Sequence, residues 1–474
     1  MKHIIMVASE GNPLCKSGGL ADVIFSLSEE LTKKGNKVAV ILPFYKSIKD
    51  IRKLFKFVRT GHAVIEMSWR HQEAEFFRAE YKGLIYYLIG NHYYFDRDML
   101  YGYEDDGERF AFFSLAALHL ANSFQEIPDI IHVHDHQSAM IPCLKKEKGG
   151  AYPNLANTKT VLTIHNPAFK GYLNDDALGE LFGLPHYLYD EGNVRFDGAV
   201  STLKSGIMYA DKIATVSPTH RLELLNPSTS MGLDSVLRLR EDDFLGIVNG
   251  VDYEEFNPAH DSFLFSPYDH NNFAEGKAKN RARLVAQGEL KDDGGPSFGM
   301  VSRLTSQKGL DLIIGAVEKI ASEGHLVFIL GSGDPYYENE LQRLRDTYPT
   351  KFLFYRGYSN QVAHDIYASS DFFLMPSSFE PCGIGQLIAL RYGTLPIARA
   401  TGGLADTIVT DGEKADGFLF SDYSQYAFDE AINRAEQVYF EEKSMQKMIV
   451  SAMKADHSWG KSADEYIALY NQLC

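Results

Sequence analysis

The sequence predicts an α/β fold built as two Rossmann-like, doubly wound domains. Three observations carry this. Short apolar runs alternate with helical patterns from end to end, the signature of βαβ units and parallel sheets. The 474 residues are too many for one ordinary core. The glycine-rich opening Gly18-Gly19-Leu20-Ala21-Asp22 is echoed by Gly402-Gly403-Leu404-Ala405-Asp406, a hint of two similar halves.

The first strand reads over His3 to Ala8, with Ile4, Ile5, Met6 and Val7 in one run. The Gly18-Gly19 pair then opens a helix whose apolar residues Leu20, Val23, Ile24, Leu27 and Leu31 share a face. Glycines let backbone approach a ligand closely, and free N–H groups at a helix start suit a phosphate. Lys16 adds a full charge beside them. Further strands read over Lys37 to Leu42, Ile130 to Val133, Thr160 to Ile164, Lys212 to Val216, Ser297 to Ser302, Leu326 to Leu330, Phe372 to Met375 and Leu395 to Ala398. The charged run Arg238 to Asp243 and the Asn249-Gly250 turn place a boundary near residues 240–250. The predicted domains are 1–245, 246–455 and a C-terminal segment 456–474. Trp459, Tyr466, Leu469 and Tyr470 give that segment a helical packing face, directed back toward the first domain.

Composition excludes several function classes. Sixty-three acidic against 47 basic residues give a formal charge of −16. That disfavours nucleic acid and anionic membrane surfaces as partners. No apolar run approaches the roughly 20 residues of a membrane span. Cys15, Cys143, Cys382 and Cys474 show no paired spacing, which fits a reducing compartment. The chain opens on a strand without a leader pattern, so a cytoplasmic location is expected.

Four segments carry chemistry. Ile131-His132-Val133-His134-Asp135-His136 ends a strand, where open α/β sheets bind ligands. The alternating histidines resemble a hydrolase metal pattern, but the aspartate falls one position too early and no further ligands complete a shell. Thr163-Ile164-His165-Asn166-Pro167 ends another strand. The proline pushes the preceding residue out of the helical region, which directs His165 and Asn166 into a crevice. Ser302-Arg303-Leu304-Thr305-Ser306-Gln307-Lys308-Gly309 lies between a strand and a helix. An arginine and a lysine there can clamp a diphosphate. Phe379-Glu380-Pro381-Cys382-Gly383-Ile384-Gly385 offers a carboxylate for sugar hydroxyls and amides for phosphate. Cys382 has no base nearby and reads as a packed loop thiol.

Together with Lys16-Ser17-Gly18-Gly19-Leu20-Ala21-Asp22-Val23, these motifs resemble the bacterial glycogen synthases and plant starch synthases. The resemblance runs from Lys16 to the Trp459–Tyr470 tail. It implies two facing Rossmann-like domains with a deep cleft, the GT-B type. The implied activity is retaining transfer of glucose from ADP-glucose to the non-reducing 4-hydroxyl of an α-1,4-glucan, glycogen or starch. No cofactor and no metal are expected. The implied catalytic set is His165, Glu380, Arg303, Lys308 and Asp135. Donor contacts fall to Lys16, Gly18, Gly19, Asp22, Asn166, Asn249, Tyr358, Cys382, Gly383, Ile384, Gly385, Thr401 and Gly402, with Tyr358 stacking on the adenine. Tyr93 and Tyr94 resemble the acceptor-side loop; Asp96-Arg97-Asp98 beside them is formally an Asp-x-Asp. The chain departs from the family at His136, where a tryptophan is usual, at Gly385 in place of threonine, and at Ile388, where many retaining transferases carry a second glutamate. A UDP-glucose user, a sucrose-synthase-like enzyme and a silent glucan-binding protein are the alternatives.

Overall fold

The computed structural model describes residues 1–50 and 55–474. The chain folds as two compact units, Met1–Asn249 with Trp459–Cys474, and Gly250–Ser458.

The first unit holds β1 (His3–Val7), β2 (Lys37–Pro43), β3 (Val58–Met67), β4 (Arg70–Tyr81), β5 (Leu84–Gly90), β6 (Ile130–His134), β7 (Lys159–Ile164), β8 (Tyr172–Leu173), β9 (Arg195–Phe196), β10 (Ala199–Ser201), β11 (Lys212–Thr215) and β12 (Phe244–Gly246). Nine of these form one sheet in the order β12-β11-β7-β6-β1-β2-β5-β4-β3. From β12 to β5 the pairs are parallel. Helices cover both faces of such a sheet, so its strands are continuous apolar runs. In β1, Ile4, Ile5 and Met6 are completely buried. The all-parallel expectation fails at one edge, where β4 and β3 run antiparallel. Their side chains alternate between buried and exposed, the pattern of a hairpin with one wet face. The strands β8, β10 and β9 make a small separate antiparallel sheet.

Helix Leu20–Lys33 buries Val23, Ile24, Leu27 and Leu31, one face at helical spacing. The C-terminal helix Trp459–Asn471 packs against it. Trp459, Tyr466, Leu469 and Tyr470 are buried there, and Lys34 pairs with Asp464 at 2.8 Å.

The second unit holds β13 (Ser297–Val301), β14 (Leu326–Gly331), β15 (Phe352–Arg356), β16 (Phe372–Met375), β17 (Leu395–Arg399) and β18 (Phe418–Phe420). They form a parallel sheet in the order β15-β14-β13-β16-β17-β18. The order reverses beside β13, so the loops after β13 and β16 leave adjacent carboxyl ends, where doubly wound sheets bind ligands. No helix among the described residues is long and apolar enough to cross a membrane.

Candidate active site

In the first unit the candidate residues gather at the carboxyl ends of β1, β6 and β7. The loop after β1 folds around Glu10, a buried carboxylate. Glu10 Oε2 accepts the N–H groups of Ser17 and Gly18, the latter at 3.1 Å. The expectation of free amides at the glycine pair thus fails at Gly18, whose N–H Glu10 takes in this structure. No motif in the sequence assigns Glu10 a role. Its one signal is an acidic residue in the short loop after a buried strand. Lys16 Nζ lies 2.8 Å from Asp22 Oδ1, and Asn12 Nδ2 donates to the same carboxylate.

β6 delivers His134 and Asp135 to the carboxyl end of the sheet. Asp135 takes a left-handed backbone, φ 55°, a conformation Asp tolerates better than most residues. Its Oδ1 accepts the N–H of His165 at 2.7 Å and of Asn166 at 3.2 Å. Asp135 therefore ties the end of β6 to the end of β7. Burial pushes its carboxyl up to about 7, although both amide bonds favour the ionised form. His165 Nε2 meets His134 Nδ1 at 3.0 Å. Burial holds the His165 imidazole down to about 3, so the ring is neutral at physiological pH. Asn166 Oδ1 accepts the N–H of Ala168, a side-chain turn that starts the next loop.

His136 points to a different place. Its ring lies 6.2 Å from that of Phe169, and its carbonyl accepts the Thr202 hydroxyl at 2.7 Å. Both residues line a cavity of about 320 Å³, with Phe110, Met140, Tyr172 and Gln137. Gln137 Oε1 is enclosed without a partner. Phe169 is 61% exposed and Tyr172 49% exposed, so aromatic surface stands open at this place. Gly171 closes it at φ 64°, where a Cβ would meet the Thr202 hydroxyl at 2.0 Å. No local pattern in the sequence announces this cavity, because its walls come from five separate segments.

The acceptor-side pair divides. Tyr93 is 65% exposed, whereas Tyr94 is completely buried. Tyr94 packs 5.0 Å from Phe112 and its hydroxyl donates to Glu108. Tyr94 is thus a core residue, a correction to its placement on an acceptor surface. Both carboxylates of the Asp-x-Asp segment have basic partners: Asp98 pairs with Lys46 at 2.6 Å, and Asp96 with His92 at 2.6 Å.

In the second unit, Arg303 follows β13 and is exposed. Lys308 ends the turn Ser306–Lys308 that precedes helix Leu310–Ser322. The loop after β16 is stapled to this turn. Ser378 N donates to Gln307 O at 2.9 Å, and Gln307 Nε2 donates to Phe379 O at 3.2 Å. The staple brings Lys308 Nζ to Glu380 Oε2 at 2.5 Å, with the Ser377 hydroxyl on the same oxygen at 3.1 Å. Two residues 72 positions apart, predicted separately, form one part-buried pair.

Thr401 is buried and precedes helix Gly402–Thr407. Gly402, at φ 44°, passes so close beneath the Glu380 loop that a Cβ would lie 2.0 Å from Glu380 O. The Gly403 N–H donates to the carbonyls of Glu380 and Pro381. The second Gly-Gly pair therefore supports the Glu380 loop by close packing. Cys382 is buried, Ile384 caps helix Gly385–Arg391, and Ile388 is in its core. Tyr358 is 74% exposed, an open ring face. Asn249 is buried with its Oδ1 unpartnered. Among the described residues, three groups able to share a metal occur together only at Glu323, His325 and Glu436. There Lys319 already lies 3.3 Å and 3.9 Å from the carboxylates.

Each unit thus presents polar and cationic side chains at parallel strand ends, suited to an anionic, hydroxyl-rich ligand. Residues 3–239 match the family described as "Starch synthase catalytic domain", and residues 284–454 match "Glycosyl transferases group 1". The glycogen synthase of Lactococcus lactis is 43% identical over 99% of this chain and 100% of its own length. That of Clostridium kluyveri is 43% identical over 99% of both chains. The chain belongs to the glycogen and starch synthase family of glycosyltransferases. A solved structure described as the catalytic domain of starch synthase IV from Arabidopsis thaliana bound to ADP and acarbose superposes with a TM-score of 0.92. It is 31% identical and covers 100% of this chain and 99% of its own. A sucrose-phosphate synthase from Thermosynechococcus elongatus, 18% identical with a TM-score of 0.61, shares the fold. The fold is GT-B, two Rossmann-like α/β domains.

Proposed function

We propose that this chain transfers glucose, with retention, from ADP-glucose to the non-reducing 4-hydroxyl of an α-1,4-glucan. The observation that carries this reading is the Lys308–Glu380 pair, with exposed Arg303 on the same segment after β13. It joins two cations for a leaving diphosphate to a carboxylate for a sugar at adjacent strand ends. The related starch synthase IV binds ADP, which supports adenine as the base and Tyr358 as its stacking face.

Arg303 and Lys308 stabilise the charge that develops on the leaving diphosphate, a preorganised electrostatic contribution. Glu380 holds donor hydroxyls and steadies positive charge at the anomeric carbon. His165, held neutral by desolvation, hydrogen-bonds the sugar and does not serve as an acid. Asp135 fixes the backbone that carries His165 and Asn166. No carboxylate is assigned as a nucleophile, so attack comes from the front face and the leaving phosphate takes the acceptor proton.

The test is incorporation of labelled glucose from ADP-glucose or UDP-glucose into glycogen, with and without EDTA. ADP-glucose is expected to be the better donor, and activity is expected to survive EDTA because the cationic pair neutralises the diphosphate. Preference for UDP-glucose would overturn the assigned base. Complete loss in EDTA, restored by a divalent cation, would overturn the metal-free assignment.

The aromatic surface around the 320 Å³ cavity supports a glucan-binding role for that face. Phe169→Ala is expected to raise the KM for glucan about fivefold, since one aromatic contact contributes about 1 kcal/mol, with kcat little changed. An unchanged KM would remove Phe169 from the acceptor path.

A further inference from the structure

His165 rests on a second histidine to which neither motif nor mechanism gives a role. His134 is fully buried at the end of β6, and its Nδ1 lies 3.0 Å from His165 Nε2. The two rings are near-parallel, 29° apart, with centroids at 5.3 Å. His134 is itself backed by His132, whose ring centroid is 4.2 Å away. His132 is held at both nitrogens, by the Tyr470 hydroxyl at 2.8 Å and the Thr163 hydroxyl at 2.7 Å. The C-terminal helix therefore braces this stack from behind.

The position of one proton follows from hydrogen-bond arithmetic. Burial holds all three imidazoles neutral, and a neutral imidazole carries one N–H and one lone pair. Hydrogen positions are assigned from such networks. If His165 Nε2–H donated to His134, the proton of His134 would sit on its Nε2. That atom is enclosed and has no partner. An orphaned buried N–H is rare in folded proteins, and an orphaned acceptor less so. The reverse arrangement leaves only a bare lone pair enclosed at His134 Nε2. His134 Nδ1–H then donates to His165 Nε2, and the proton of His165 sits on Nδ1. That nitrogen has no hydrogen-bond partner among the described residues.

We propose that His134 is a positioning residue that holds His165 in the Nδ1-protonated tautomer, so that His165 offers the donor sugar a hydrogen-bond donor. The use of that proton rests on the glucosyl-transfer reading; its location does not. Partners of this kind that orient a functional histidine elsewhere affect activity about 10- to 100-fold.

The test is a long-range ¹H–¹⁵N correlation spectrum of the full ligand-free chain with ¹⁵N-labelled histidine. The His165 signals are assigned by their loss in His165→Gln. The native protein is expected to show His165 protonated at Nδ1. His134→Leu removes the donor, so His165 is expected to move to the Nε2-protonated form and kcat to fall about 10- to 100-fold. His134→Asn keeps an N–H near the Nδ1 position and is expected to restore the tautomer and most of the turnover. Nε2 protonation of His165 in the native protein would overturn the proposal, even if His134→Leu fails to fold. So would an unchanged tautomer in folded His134→Leu. A native Nδ1 tautomer in a protein that transfers no glucose would leave the proton assignment standing and remove the proposed function.

Discussion

Lys308→Ala is expected to lower kcat about 100- to 1000-fold, the loss seen when one preorganised donor to a developing oxyanion is removed, while glucan binding stays near its native value. The charge on the diphosphate grows as the glycosidic bond breaks, so the ammonium matters more in the transition state than in the ground state. Lys308 also neutralises Glu380, which is only 6% exposed. Its removal leaves a buried carboxylate with the Ser377 hydroxyl as its remaining side-chain hydrogen-bond partner among the described residues. A penalty of about 1–3 kcal/mol in stability is expected, visible as a lower Tm. Arg303→Ala separates the two effects. Arg303 is exposed and makes no ion pair among the described residues, so its loss should cut turnover in the same direction with no change in Tm. Near-normal kcat in both variants would remove the diphosphate clamp from the account. A Tm loss without a turnover loss in Lys308→Ala would make the pair a folding device.

Replacing Glu380 should have a comparable effect. Glu380→Gln keeps the shape, loses the charge and leaves Lys308 without its carboxylate. Glu380→Asp keeps the charge and withdraws it by one methylene, out of reach of Lys308 or of the sugar. If Glu380 positions donor hydroxyls and steadies a cationic sugar, both variants lose most activity, roughly 100-fold or more. Ile388 is the position where a second carboxylate would stand, and it is buried in the helix core, so no side chain there substitutes. Mild effects in Glu380→Gln, with losses that track Tm, would reduce Glu380 to a loop support. A covalent sugar trapped on Glu380 or Asp135 with a slow donor analogue would replace front-face attack with a nucleophilic mechanism.

The parallel core was legible because strands buried on both faces are unbroken apolar runs. β1, β2, β6, β7, β11, β14, β16 and β17 end within a residue or two of where the pattern places them. The edge hairpin β3–β4 was not, since alternating polar and apolar residues such as those of Arg70–Tyr81 blur into surface loop. In the site, residue types and order were legible, and partners were not. Lys308 and Glu380 meet only because β13 and β16 are neighbours in the sheet. Glu10, His134 and the cavity beside Phe169 depend likewise on which strand ends lie together, a long-range property that local spacing does not carry. Tyr94 failed for the opposite reason. Its neighbour Tyr93 shares its chemistry, and only packing shows which ring turns outward.

The most direct measurement is a ¹H NMR time course of the wild-type chain with ADP-glucose and a short α-1,4-linked glucan. Retaining transfer from ADP-glucose predicts a growing α-anomeric signal from a new α-1,4 linkage at the non-reducing end, in step with ADP release. A new β-linkage, or ADP release without a lengthened glucan, would contradict it.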